Sequence, residues 1–338
     1  MEKRKRNNGS PDVSGRPGAA GRSGERQREL TVRSFAKINL SIDVGAPGND
    51  GFHPVDMIMQ QLFFHDDVTV TFREDPGGGT GDQRIRLTSN RWYLPTGERN
   101  LAYKAALLMI RDYGRAVPSG LIEIRLFKRI PVAAGLAGGS GNGAAVLHGL
   151  NAVWDLGLSL DEIFRLGEEL GSDVPFCAMG QANASPGLPE NVRSDRRAAS
   201  CARATGRGTI LEPVQGIRKQ IVIAKPGLSV STAEVYRGID RRVIPERPDN
   251  DRLIRDIEAR NERMYENFIN VLENYTLSEY KEVAGLKDFL SGTGAEKVLM
   301  SGSGPTVFAV YRDVERAEDA CARAREAGYE AYRTRTLL

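Results

Sequence analysis

The chain reads as an α+β protein in two parts, a β-rich N-terminal part and a smaller α/β C-terminal part. Three observations predict this. Residues 30–44 alternate apolar and polar side chains at the strand period of two, and further strand candidates at 68–72, 85–87 and 121–127 follow. The chain ends on strand, glycine-rich turn, strand, helix and strand, at 298–300, 301–305, 306–311, 314–327 and 330–336. Its 338 residues suit two domains with a sizeable core.

Taken in order, residues 30–35 and 37–44 read as two strands, followed by a turn at 45–51 that holds Gly45, Pro47, Gly48 and Gly51. Strands at 68–72 and 85–87 flank a turn at 76–81, and residues 101–113 are helical. The strand at 121–127 passes through a glycine run into a helix at 144–154, where Leu147, Leu150 and Trp154 share a face. Ser159 caps the next helix, Asp161 and Glu162 lie in its first turn, and it stops at Gly171 after Leu170. Residues 182–199 are polar, with two prolines and no periodicity, and read as a disordered insertion or a lid. A strand at 221–224 and a mainly helical stretch at 251–276 complete the chain. The expected layout is a disordered basic tail at 1–29, an N-terminal domain at 30–180, a polar insertion or loop at 181–200 and a C-terminal domain at 201–338.

The net charge of +3 belongs to the tail. Residues 1–28 hold eight Lys/Arg against three Asp/Glu, a net of +5, which leaves 3 − 5 = −2 for the rest. That balance gives little support to nucleic acid as a partner. The tail has too few apolar residues to fold, and it lacks the apolar core of a secretory signal. No apolar run approaches the roughly 18 residues of a membrane span. Cys177, Cys201 and Cys321 are odd in number and far apart, which fits neither a disulfide framework nor a metal site and suits a reducing cytoplasm.

Chemistry concentrates in a few places. Between residues 135 and 143 the chain carries Gly135, Gly138, Gly139, Gly141 and Gly143 where a strand gives way to a helix. Such a run presents backbone N–H groups and a helix N-terminus to an anion, and Ser140 adds a hydroxyl for a phosphate or Mg²⁺. It contains no GxxxxGK[ST] pattern, so it is not a Walker loop. A second glycine turn, Ser301-Gly302-Ser303-Gly304-Pro305, is either a plain hairpin or the other wall of the same cleft. Lys37 lies in a strand between Ala36 and Ile38, where it is either solvated or set there for a reason. Asp173 lies just past a helix end in apolar company, as a turn cap or a base. If the two meet, they can activate a hydroxyl and neutralise phosphoryl charge. Phe52 and His53 follow a flexible turn, where they pack or receive a base.

Four blocks together resemble the GHMP kinase family: Ala36-Lys37-Ile38-Asn39-Leu40 with Asp50-Gly51-Phe52-His53; residues 131–145; Gly171-Ser172-Asp173-Val174-Pro175-Phe176; and the turn at 301–305. Residues 231–236, ending in Tyr236, look like the family as well. The resemblance covers about residues 30–338. It implies a two-domain GHMP kinase fold, with a ribosomal protein S5 domain 2-like N-terminal domain and a ferredoxin-like C-terminal domain. The first block is similar to the family branch that phosphorylates the 2-hydroxyl of diphosphocytidyl-methylerythritol, a step of the non-mevalonate isoprenoid pathway, with ATP and Mg²⁺. On that resemblance Asp173 is the catalytic base and Lys37 holds it and the reacting oxygens. Asn39 orients the erythritol, Phe52 and Tyr236 sandwich the cytosine, and His53 bonds its edge. Pro131, Val132, Ala133, Ala134, Gly135, Leu136, Ala137, Gly138, Gly139, Ser140 and Gly141 cradle ATP, with Ser140 near Mg²⁺. The implied enzyme is cytoplasmic, a monomer or homodimer, and takes a small molecule with no membrane or nucleic-acid partner.

The chain departs from the family pattern in three places. Phe52 replaces a frequent tyrosine, which keeps stacking and loses a hydroxyl. The loop ends Gly141-Asn142-Gly143, and a glycine in a helix costs about 1 kcal/mol relative to alanine, so order is in question there. The 182–199 segment has no counterpart. A GHMP kinase for homoserine or mevalonate, and a non-catalytic nucleotide binder, stay open as alternatives.

Overall fold

The computed structural model describes residues 27–49 and 51–338. Most of the basic tail, and Asp50 of the first motif, lie outside the described residues. β1 (Gln27–Val44) runs antiparallel along the whole of β2 (Val55–Glu74). On its other side β2 takes two partners end to end, β4 (Gly120–Phe127) along residues 67–74 and β5 (Cys201–Gly206) along residues 55–60. β3 (Gln83–Ser89) pairs parallel with β4, and β6 (Ile210–Pro213) antiparallel with β5. The parallel pair needs a crossover. It is α1 (Leu101–Tyr113), capped by Asn100, whose side chain accepts from the Ala102 N–H at 3.0 Å.

α2 (Gly138–Val153) is buried along most of its length and forms the centre of the helical layer, with α3 (Leu160–Leu170) and α4 (Val174–Ala184) beside it. The cap expected at Ser159 is present, as a full capping box: Ser159 N–H reaches Glu162 Oε2 at 2.8 Å, and Glu162 N–H reaches Ser159 Oγ at 3.4 Å. A four-residue turn of helix, α5 (Glu190–Arg193), leads to β5.

The second sheet holds β7 (Gln220–Lys225), β8 (Lys297–Met300), β9 (Val307–Tyr311) and β10 (Glu330–Arg335) in the order β10-β7-β9-β8, all antiparallel. That order is the ferredoxin-like one. α6 (Thr232–Ile239), α7 (Asn250–Glu258), α8 (Glu273–Glu279) and α9 (Lys281–Ser291) lie between β7 and β8, and α10 (Val314–Glu326) between β9 and β10. An apolar seam joins the sheets, with Ile38 and Leu40 of β1 and Leu62 of β2 clustered with Ile223 of β7 and Phe308 of β9. Burying each such side chain contributes about 1.5–3 kcal/mol. Strand alternation then turns Lys37 and Asn39 to the side opposite Ile38.

Five expectations are corrected. The strands at 30–35 and 37–44 are one strand, and β1 already begins at Gln27, inside the expected tail. The break in its pattern is a pair of register shifts, between Phe35 and Lys37 and between Asn39 and Ser41. β2 starts thirteen residues before the expected 68, because Gln60, Gln61 and Asp66, which interrupt the apolar pattern, are buried and hydrogen-bonded. α2 begins at Gly138 rather than 144, so Gly141-Asn142-Gly143 is ordered helix. The 182–199 segment is ordered too. Its first residues end α4, Leu188 and Val192 are buried, and Arg197 bonds Asp195 at 2.9 Å, pairs with Asp161 and lies over the Phe164 ring. Residues 201–213 complete the first sheet, so the second sheet begins only at Gln220.

Candidate active site

A cavity of about 1040 Å³ opens where the two sheets meet. The strand, the glycine loop, the start of α4 and the start of α6 all reach it. β1 supplies Lys37 and Asn39, and both are almost fully buried. Lys37 Nζ donates to Asn39 Oδ1 at 2.8 Å and stands 3.7 Å from Asp173 Oδ2. Asn39 Nδ2 in turn points at Met57 Sδ, 3.3 Å away.

Asp173 occupies the N-cap position of α4, yet its side chain makes no capping bond. The side chain is 33 % exposed, against 6 % for Lys37. Its carboxylate is therefore held by a buried cation from behind and open to the cavity in front. Its charge is felt nearby. Burial, and then the Asp173 charge, push the Tyr236 hydroxyl up to about 12. Burial and the same charge also raise the Cys177 thiol one turn along α4, so this cysteine is an inert neighbour and not a nucleophile.

The glycine loop forms the opposite wall. Ala133, Gly135 and Ala137 all have positive φ, at 53°, 72° and 56°. Gly135 is obligatory for a second reason: a Cβ there would stand 2.7 Å from Ser301 O and 2.9 Å from Gly304 O. The second glycine turn thus packs on the first, Ser301 Oγ donates to Gly135 O at 3.2 Å, and Gly302 and Ser303 line the cavity. α2 starts from Ala137 without any side-chain cap, and its first intrahelical bond runs from Gly141 N–H to Ala137 O at 2.8 Å. The N–H groups of Gly138, Gly139 and Ser140 precede that bond at the cavity wall, an anion site by helix polarity.

Beneath this helix end lies a buried polar network that the sequence did not reveal. Lys128 Nζ pairs with Asp66 and donates to Asn142 Oδ1 at 2.9 Å. Asn142 Nδ2 donates to Asp66 Oδ2 at 3.0 Å and to Ser34 Oγ at 3.1 Å. Asp66 Oδ1 accepts the N–H groups of Arg129 and Ile130, at 2.7 and 2.8 Å. This network anchors the strand end, the loop and the helix together, and gives Asn142 its structural reason. Gly141 has one as well: a Cβ there would fall 2.3 Å from Ser34 Oγ.

At the other end stand Phe52, His53 and Tyr236. The His53 and Tyr236 rings are 5.5 Å apart at 59°, and His53 Nε2 bonds Asp240 Oδ1 at 2.8 Å. A carboxylate only accepts, so Nε2 carries a proton, and in that tautomer Nδ1 is the acceptor. Phe52 lies against the Arg207 guanidinium, whose carbon is 3.9 Å from the ring centroid. Of the candidate site residues, Lys37, Asn39, Phe52, His53, Asp173, Tyr236 and residues 131–140 border this one cavity, whereas Gly141 faces Ser34 and does not. Arg207, Lys128 and Asp66 were missed. A cation between Gly206 and Gly208 was the legible signal for Arg207, and charges inside strand-like runs were the signal for the other two.

Among the described residues the cavity lining carries five Lys/Arg (Lys37, Arg99, Lys128, Arg207 and Arg237) against the single carboxylate of Asp173. It is built for polyanions. No group of three or more His, Cys, Asp or Glu is placed to hold a metal among the described residues. One carboxylate and the Ser140 hydroxyl are a donor set that suits Mg²⁺ arriving on nucleotide phosphates, since that ion keeps several waters and needs few protein ligands. No helix among the described residues is long and apolar enough to cross a membrane.

Known proteins resemble this chain over most of its length. The GHMP kinases N terminal domain matches residues 100–181, and GHMP kinases C terminal matches residues 249–330. The chain is 40 % identical over 295 residues to a 4-diphosphocytidyl-2-C-methyl-D-erythritol kinase of Alkaliphilus metalliredigens (strain QYMF), covering 87 % of this chain and 91 % of the relative. A protein of the same name from Exiguobacterium sibiricum is 42 % identical over 291 residues, covering 86 % and 91 %. A crystal structure of 4-(cytidine 5'-diphospho)-2C-methyl-D-erythritol kinase superposes with a TM-score of 0.71 at 27 % identity, over 91 % of this chain and 99 % of that one. With both halves of the fold, the glycine loop and the Lys37–Asp173 pair in place, this chain belongs to the GHMP kinase family.

Proposed function

We propose that this kinase transfers the terminal phosphoryl group of ATP to the 2-hydroxyl of 4-diphosphocytidyl-2-C-methyl-D-erythritol, a step of the non-mevalonate isoprenoid precursor pathway. The observation that carries the mechanism is the Lys37–Asp173 pair, 3.7 Å apart in a cavity with an uncapped glycine helix on one side and an aromatic end on the other. A volume of about 1040 Å³ lies at the upper end of ligand-pocket sizes. Relatives at 40 % identity over most of the chain carry the substrate assignment.

Asp173 accepts the proton of the 2-hydroxyl, and the O–P bond to the terminal phosphorus forms as the bond to the ADP oxygen breaks. Lys37 holds that carboxylate in place and stabilises the charge on the transferring group. Asn39, held by Lys37, orients the erythritol. The N–H groups of Gly138, Gly139 and Ser140 cradle the nucleotide phosphates, with the loop from Pro131 to Gly141 around them. Ser140 would help hold a Mg²⁺ ion there, which would supply neutralisation of phosphate charge. Phe52 and Tyr236 flank the cytosine, and His53 Nδ1 accepts from its exocyclic amino group, because Asp240 fixes the proton on Nε2. The three free, buried cysteines suit a cytoplasmic enzyme.

The test is a substrate panel with ATP and Mg²⁺. The cytidine diphosphate-linked methylerythritol is phosphorylated, while methylerythritol 4-phosphate, homoserine and mevalonate are not. Equal turnover of substrates with and without the cytidine diphosphate group would remove any role for Phe52, His53 and Tyr236.

A further inference from the structure

The residues placed so far account for the base, the alcohol and the ATP phosphates. None of them meets the charge of the substrate's own diphosphate. We propose that Arg207 binds that diphosphate and so sets the preference for a nucleoside diphosphate-linked alcohol; this rests on the function proposed above.

Arg207 sits at the tip of the β5–β6 hairpin, in a turn that the chain builds with two glycines of positive φ, Gly206 at 67° and Gly208 at 88°. The turn is closed by Gly208 N–H to Thr205 O at 3.0 Å. Its place in the cavity is set by its neighbours. A Cβ on Gly208 would stand 3.0 Å from Met57 Cε and 3.9 Å from Ser172 Cβ, so the turn lies beside the residue that precedes Asp173. In the other direction the guanidinium stacks on Phe52, at 3.9 Å from the ring centroid. Arg207 therefore spans the gap between the reacting end and the base end of the site. In a cytidine diphosphate-linked alcohol, the diphosphate occupies that same interval.

The chemistry fits the place. A guanidinium keeps its charge at all working pH values, offers paired donors that match phosphate oxygens, and stacks on aromatic rings. The other cations of the cavity belong to other elements. Lys128 is enclosed by Asp66 and Asn142, and Lys37 by Asn39 and Asp173. Arg237 donates Nε to Ala233 O on its own helix at 3.1 Å, and Arg99 adjoins Asn100, the cap of α1.

The experiment compares wild type, Arg207→Ala and Arg207→Lys in the intact chain. The side chain is exposed at a hairpin tip, so the fold is expected to survive, and equal melting temperatures verify this. Loss of a charge-assisted phosphate contact raises KM for the cytidine diphosphate-linked substrate about ten-fold or more, leaves KM for ATP unmoved, and is partly offset in the lysine variant. At saturating ATP, cytidine diphosphate loses its advantage over cytidine as a competitive inhibitor in Arg207→Ala, while cytidine itself binds as before. An unchanged ratio of the two inhibitors overturns the proposal. So does an equal loss for both, which would make Arg207 only a support for Phe52. A wild-type enzyme that neither phosphorylates the substrate nor binds cytidine diphosphate overturns the proposed function, and this inference with it.

Discussion

At the residue scale the site rests on one carboxylate with an open front and a buried cation behind it. Asp173→Asn removes the proton acceptor and leaves the shape, so turnover falls by about two to four orders of magnitude. The proposed nucleotide site is the loop and the start of α2, 30 residues and more upstream, so ATP affinity stays close to wild type. Turnover near wild type, or a parallel collapse of ATP binding in a nucleotide titration, would contradict the assignment. Lys37 and Asp173 were both singled out in the sequence, each with an ordinary structural alternative left open, and the family resemblance was what joined them. Arg207 and the Lys128–Asp66 pair were not singled out. Their meaning comes from what stands opposite them in space, namely Phe52, Ser34 and Asn142, and adjacency in the chain records none of it.

At the element scale the unusual loop ending is a matter of close approach and not of disorder. α2 lies so near β1 that Ser34 Oγ fills the place of a side chain at residue 141. Gly141→Ala brings a gain of about 1 kcal/mol in helix propensity against an overpacking cost of about 1–3 kcal/mol, so the single variant is destabilised or at best neutral. Adding Ser34→Ala removes the clash, since the Ser34 Cβ is an ordinary 3.6 Å away, while Asn142 keeps its bond to Asp66. The double variant is therefore more stable than the sum of its singles, by about 1 kcal/mol or more in a denaturant cycle. Strict additivity would contradict the packing account. Elements with local signals were legible: α1, the capped α3 and the C-terminal strand–helix–strand series all came close to their observed bounds. β2 and the 182–199 segment were not, because buried polar residues bonded to distant partners look like surface in a single sequence. Gln60 of β2, for example, donates to Leu337 O at 2.7 Å, 277 residues away.

At the scale of the whole molecule, the two walls of the site are tied through the core. His148 of α2 is fully buried and bonds Ala178 O of α4 at 3.0 Å, which joins the helix behind the glycine loop to the one that follows Asp173. Burial holds this imidazole neutral and lowers its pKa to about 4, against about 6.5 in an unfolded chain. The unfolded chain binds the extra proton first, so the stability this group contributes is full above pH 6.5 and is lost as the pH falls towards 4. The slope is about 1.4 kcal/mol per pH unit. His148→Gln keeps a donor and cannot titrate, so the melting-temperature gap between wild type and variant narrows steadily from pH 7 to pH 4; a constant gap would show that His148 does not drive the acid loss. The two-sheet layout was legible in outline, but the apolar seam and the cavity beside it depend on contacts between residues 36–62 and 217–310 that periodicity cannot specify. The central claim, that this cavity moves phosphate from ATP to a cytidine diphosphate-linked alcohol, is tested most directly by phosphorus NMR of the purified chain with ATP, Mg²⁺ and 4-diphosphocytidyl-2-C-methyl-D-erythritol. The predicted result is a new phosphomonoester on the 2-hydroxyl, formed one for one with ADP, with the substrate diphosphate intact. Bound ATP with no new ester, or an ester formed only on homoserine or mevalonate, would contradict it.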